Sequence, residues 1–61
     1  MNGAMVKEIR LALRITQLEL GLRMNVDRMT VNRWETGKSE IVGPALVLLN
    51  QMKEEAFRAD K

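Results

Sequence analysis

Two short segments of helical periodicity, 17–24 and 28–36, are separated by only three residues, Asn25-Val26-Asp27. So short a link ties the two helices into one corner, either a helix-turn-helix or the bend of a small helical bundle. Apolar residues at Leu20, Met24, Val26, Val31 and Trp34 supply the inward side of that corner. Asn25 is the non-glycine residue that best tolerates the left-handed conformation a tight turn needs. Asp27 has the chemistry to cap the second helix by accepting from its exposed amides. Thr16 followed by Glu19 predicts a capping box at the start of the first. Leu20, Gly21 and Met24 form the inward face of that helix. Gly21 costs about 1 kcal/mol there relative to alanine, which is acceptable where another backbone must approach closely.

The rest of the chain supports this corner. A helix is expected over about 4–14, with Met5, Ile9, Ala12 and Leu13 as one apolar stripe, broadened by Val6 and Leu11. Arg10 and Arg14 lie four apart beside that stripe. Gly37 is the expected stop of the 28–36 helix. Gly43-Pro44 opens a fourth helix over 44–57, with proline where its missing amide costs nothing. In it Ala45, Leu48, Leu49, Met52 and Ala56 recur at helical spacing. Leu46 and Val47 leave its first turns apolar nearly all round, more than so small a core readily covers. From Lys53 onward the tail turns polar except for Phe57, and fraying is expected there. The reading is all-α: one compact four-helix domain over 1–61.

Composition narrows the function. A chain of 61 residues without cysteine or histidine has no disulfide framework and no ordinary zinc ligand set. No cofactor is called for, and with no tyrosine and no convergent carboxylate pair an enzyme is a poor reading. No apolar run approaches the ~20 residues that span a bilayer. The opening stretch carries Lys7, Glu8, Arg10 and Arg14, so it is no signal peptide, and a cytoplasmic location is expected. The net charge of +2 is unevenly spread: +3 over residues 1–38, −1 over 39–61. The basic excess accompanies the helical corner, as nucleic-acid binding requires.

Taken together, these features resemble the Cro and phage-repressor type of helix-turn-helix domain, with a lambda-repressor-like fold. The resemblance covers about Ile9 to Leu49. It rests on Gln17 opening the second helix, the apolar positions Leu20, Met24, Val26, Val31 and Trp34, and the closing Glu35-Thr36-Gly37-Lys38 turn. The family commonly pairs a first-helix arginine with that glutamate, which here implies a structural ion pair of Arg10 with Glu35. The sequence departs from the pattern with Gly21 for alanine and Asn25 for glycine, both physically mild. Leu18 and Leu22 stand where the family more often has polar residues, either as extra packing or as a partner surface. The family's usual fifth helix does not fit before residue 61.

The resemblance implies double-stranded DNA as the partner, with Arg28, Met29, Asn32 and Arg33 facing the bases in the major groove. Arg28 and Arg33 each either hold guanine O6 and N7 or touch phosphate alone. Met29 would pack on a thymine methyl, and Asn32 would pair with adenine or hold a phosphate. Gln17, Thr36, Lys38 and Ser39, joined by Arg14, form the expected phosphate clamp. Trp34 reads as core, since the chain lacks the aromatics that single-strand binding uses. One unit reads too few base pairs for useful specificity, so a homodimer on an inverted repeat is expected. The surplus apolar surface of the fourth helix places its seam at Leu46, Val47, Asn50, Lys53 and Phe57. The favoured function is a small repressor or autorepressor, of the kind phages and mobile-element operons carry in the nucleoid or the infected cell. The alternative is a protein-interaction module on the same fold, antitoxin-like, using Leu18, Leu22 and the fourth helix.

Overall fold

The computed structural model describes residues 1–58; residues 59–61, the end of the expected 1–61 unit, lie outside the described residues. Four helices follow in order: α1 (Gly3–Ala12), α2 (Gln17–Met24), α3 (Arg28–Glu35) and α4 (Pro44–Ala56). There is no strand among the described residues. Helix α3 packs on both α2 and α1, and α4 packs on α1. Val6, Ile9, Leu20, Met24, Val31, Trp34, Ile41, Leu49 and Met52 form the core between them.

The starts of the helices follow local chemistry. Asn2 caps α1 by accepting from the Met5 amide. Thr16 and Glu19 form a reciprocal capping box on α2, with Thr16 Oγ1 accepting from Glu19 N at 3.0 Å and Glu19 Oε1 from Thr16 N at 2.8 Å. Asp27 caps α3, and Pro44 opens α4.

The first three helices all end on one device, in which a left-handed residue lets its own amide and the next one fold back onto the last carbonyls. At α1 the Arg14 and Ile15 amides donate to Leu11 and Arg10, at α2 Asn25 and Val26 donate to Leu22 and Gly21, and at α3 Gly37 and Lys38 donate to Trp34 and Arg33. The left-handed residues are Arg14 (φ 61°), Asn25 (φ 60°) and Gly37 (φ 79°).

This arrangement corrects the expected first helix. It ends at Ala12 rather than Arg14, because Arg14 leaves the helical region and forms the stop. Arg10 and Arg14 therefore do not share a helical face. The core stripe shifts accordingly: Val6 and Ile9 are fully buried, Met5 and Leu13 pack at its edge, and Ala12 and Leu11 are exposed. Helix α3 ends one residue before Thr36. Helix α4 stays helical through Ala56, past the Lys53 where fraying was expected, with Phe57 as its cap. Ile41, in the loop before α4, joins the core without any periodic signal.

Candidate nucleic-acid interface

Helix α3 has two distinct sides. Val31 and Trp34 are buried, and one short helix therefore turns Arg28, Met29, Asn32 and Arg33 outward together, all exposed. Asp27 fixes the start of this helix by accepting at one oxygen, Oδ1, from the Thr30 amide at 2.8 Å and the Thr30 hydroxyl at 2.7 Å. Those bonds from the Thr30 side chain and backbone hold the Asp27 carboxyl below its ordinary range, and the charge of Arg33 adds to the effect.

The far end of α3 is tied to α1. Arg10 Nε donates to Glu35 Oε2 at 2.7 Å and Nη2 to Oε1 at 3.1 Å, a two-pronged pair whose side chains are only 13% and 5% exposed. Arg10 Nη1 also donates to the Ile15 carbonyl, which braces the α1–α2 turn. Gln17 adds a third donor to Glu35, Nε2 to Oε1 at 3.2 Å. Burial pushes the Glu35 carboxyl up, but the hydrogen bonds from Arg10 and Gln17 outweigh it and leave it below its ordinary value. The same bond raises the already high pKa of Arg10. One carboxylate thus locks the recognition-helix end, the first helix and the start of α2 in a single relation.

The residues expected on phosphate are placed unequally. Arg14, Thr16, Gln17 and Arg28 line a shallow groove of about 480 Å³ between the α1–α2 turn and α3, with Leu11 and Leu18 at its edge. The capping box leaves the Gln17 and Leu18 amides without a protein partner among the described residues, so the α2 start presents free donors to that groove. Lys38 and Ser39 are exposed beyond α3. Thr36 is different, because its hydroxyl donates to the Asn32 carbonyl at 2.9 Å and has no second proton to offer. Gln17 likewise has one amide proton committed to Glu35. The Gln17 commitment was not visible in the sequence, since it depends on which helices meet, whereas the Thr36 bond is local, one turn back along α3.

Val47 on α4 and Phe57 at its cap are 58% and 50% exposed, and Asn50 and Lys53 are exposed with them. Leu46 is half-buried against the core instead. Leu18 and Leu22 are 55% and 72% exposed, so the described residues leave most of each uncovered. Among the described residues no helix is long and apolar enough to cross a membrane, and no cluster of acidic, histidine or cysteine side chains offers a metal site.

A short second helix locked against a capped, outward-facing third helix defines a helix-turn-helix class of DNA-binding domain. A family model described as Helix-turn-helix matches residues 6–49. The chain belongs to that family, of Cro and repressor type, and by class is a DNA-binding regulator of transcription. No curated protein and no solved structure matches it.

Proposed function

We propose that this protein is a repressor that binds an inverted-repeat operator as a homodimer, each protomer laying α3 in one major groove. The observation that carries the reading is the shared exposure of Arg28, Met29, Asn32 and Arg33 on the side of α3 opposite Val31 and Trp34. A helix fits the major groove, where each base pair presents a distinct donor and acceptor pattern. Arg28 and Arg33 read guanine, Met29 packs on a thymine methyl, and Asn32 pairs with adenine. Arg14, Gln17, Lys38 and Ser39, with the free amides of the α2 start, hold the flanking phosphates. Thr36 contributes there only if its hydroxyl leaves Asn32.

The dimer seam is the exposed face of α4 around Val47, Asn50, Lys53 and Phe57, with Leu46 at its inner edge. Two recognition helices about 34 Å apart then meet successive grooves. A cytoplasmic setting in a phage or mobile-element operon fits such a regulator.

Selection from random duplexes tests the whole reading. Enrichment of an inverted repeat with half-sites one helical turn apart supports it, and enrichment of no sequence rejects it. The exposure of Leu18 and Leu22 favours a second reading, a partner-binding module on the same fold. That reading predicts no salt-sensitive DNA binding at all.

A further inference from the structure

The groove between the α1–α2 turn and α3 carries two kinds of side chain, and DNA accounts for only one of them. Arg14 and Arg28 stand in it with no ion-pair partner among the described residues. Leu11 and Leu18 line it beside them, each more than half exposed. Leu22 is the most exposed large apolar residue among those described, and it lies one helical turn beyond Leu18 on α2. Glu19, the one carboxylate on α2, is turned onto the Thr16 amide and does not line the groove. The surface is therefore cationic and apolar at once.

Phosphate is held by cations, polar side chains and backbone amides. A DNA backbone thus uses the two arginines and leaves three leucines facing water. A protein segment whose carboxylates sit beside large apolar side chains uses both. Carboxylates match the guanidinium forks with two hydrogen bonds each. Apolar side chains at helical spacing cover the leucine row, as an amphipathic helix does when it lies in a groove. A segment without acidic residues would instead bury two unpaired arginines.

We infer that this groove is the docking site for an acidic amphipathic segment of a second protein, and that docking releases the regulator from DNA. Release follows from shared residues, since Arg14, Gln17 and Arg28 line the groove and also meet the operator. The release rests on the DNA-binding reading; the docking does not.

The test is selection of short random peptides displayed against the full chain, with a Leu11→Gln, Leu22→Gln double variant as the contrast. Both leucines are exposed and neither serves the DNA contacts, so folding and duplex binding are retained. Enriched peptides should carry Asp or Glu beside Leu, Ile or Phe at helical spacing. A synthetic copy of the most enriched peptide should bind the double variant about tenfold more weakly than the wild type. It should also displace from the wild type the duplex that the protein selects. Peptides without acidic residues, equal affinity for both proteins, a duplex that stays bound, or no enrichment would each overturn the inference and leave DNA binding intact. A double variant that sediments differently from the wild type would overturn it too, because the leucines would then join copies of this chain. A wild type that binds peptide but selects no duplex would overturn the parent reading and the release with it, and the duplex selection alone reveals that case.

Discussion

Gly21 and Val26 touch backbone to backbone across the turn of the motif. The Val26 amide donates to the Gly21 carbonyl at 2.8 Å, and a Cβ on Gly21 would lie 2.6 Å from the Val26 oxygen. The close approach comes from the turn folding back on α2, and it leaves no room for the methyl group the family usually carries there. Substitution by alanine, mild on sequence grounds, is thus resisted by the geometry.

Gly21→Ala sets two effects against each other. The helix gains about 1 kcal/mol in intrinsic propensity. Overpacking against a backbone oxygen, which cannot rotate away as a side chain would, costs about 1–3 kcal/mol. The expected outcome is a net loss of stability, read from urea unfolding. A variant as stable as the wild type would mean that the turn opens freely, and with it the angle between α2 and α3.

Arg14→Gly tests the opposite trade. Arg14 holds a left-handed conformation that costs a non-glycine residue about 1–2 kcal/mol. Glycine removes that cost, partly offset by its greater freedom in the unfolded chain, so a small rise in melting temperature is expected. If arginine is kept there for phosphate, the same variant should bind DNA more weakly and with a shallower salt dependence. Higher stability with unchanged binding would take Arg14 off the DNA.

The Arg10–Glu35 pair sets the acid limit of the fold. Glu35 has a folded-state pKa below its ordinary value, and Asp27 behaves alike at the surface. For a depressed carboxylate the contribution to stability is fully present above the unfolded pKa and is lost as pH falls through the folded one. Stability should hold near neutrality and drop below about pH 4, where carboxylates protonate. Glu35→Gln leaves the Arg10 charge buried without its partner, at a cost of about 3 kcal/mol, and should flatten that acid slope. Unfolding curves across pH decide it. An undiminished slope in the variant would move the acid sensitivity to other groups.

Much of this fold was written locally. Thr16, Asn25, Asp27, Gly37 and Pro44 each announce a helix end by their own chemistry, and the structure uses each of them so. What local chemistry does not announce is Arg14, a residue type with no preference for the left-handed region, placed there because α1 must stop for α2 to cross. Ile41 is similar: a lone apolar residue in a loop has no period to reveal it. Gly3 is a third case. A Cβ there would meet the carbonyls of Trp34 and Glu35, a contact that exists only once α1 lies on α3. At the interface, the outward set on α3 was legible from the buried pair Val31 and Trp34. The commitment of Gln17 to Glu35 was not, because a hydrogen bond between side chains eighteen residues apart leaves no trace in spacing; that of Thr36 to the Asn32 carbonyl is the local back-bond a threonine at a helix end can make.

Arg33→Ala and Lys38→Ala separate base reading from anchoring. Loss of a bidentate arginine should cost about 1–3 kcal/mol at one position of the half-site and relax preference there. Loss of a phosphate lysine should weaken all sequences alike and lower the salt slope by about 0.9 per protomer. Titrations at several salt concentrations on matched and mismatched duplexes distinguish the two patterns. If Arg33→Ala behaves as Lys38→Ala is expected to, Arg33 holds phosphate.

The seam on α4 gives the last test. Val47 and Phe57 each leave half or more of their surface exposed. The pair Val47→Glu and Phe57→Glu puts two like charges into the proposed interface while leaving the core residues Leu49 and Met52 untouched. The variant should sediment as a monomer where the wild type is a dimer, and keep its helical content. On DNA it should bind a single half-site as the wild type does but lose the extra affinity of the inverted repeat, since two sites on one rigid dimer act at high effective concentration. Leu46→Glu is the contrasting control, because Leu46 packs against the core and its loss should unfold the chain instead. A double variant that still sediments as a dimer would move the interface away from this face of α4, toward the exposed leucines of α2.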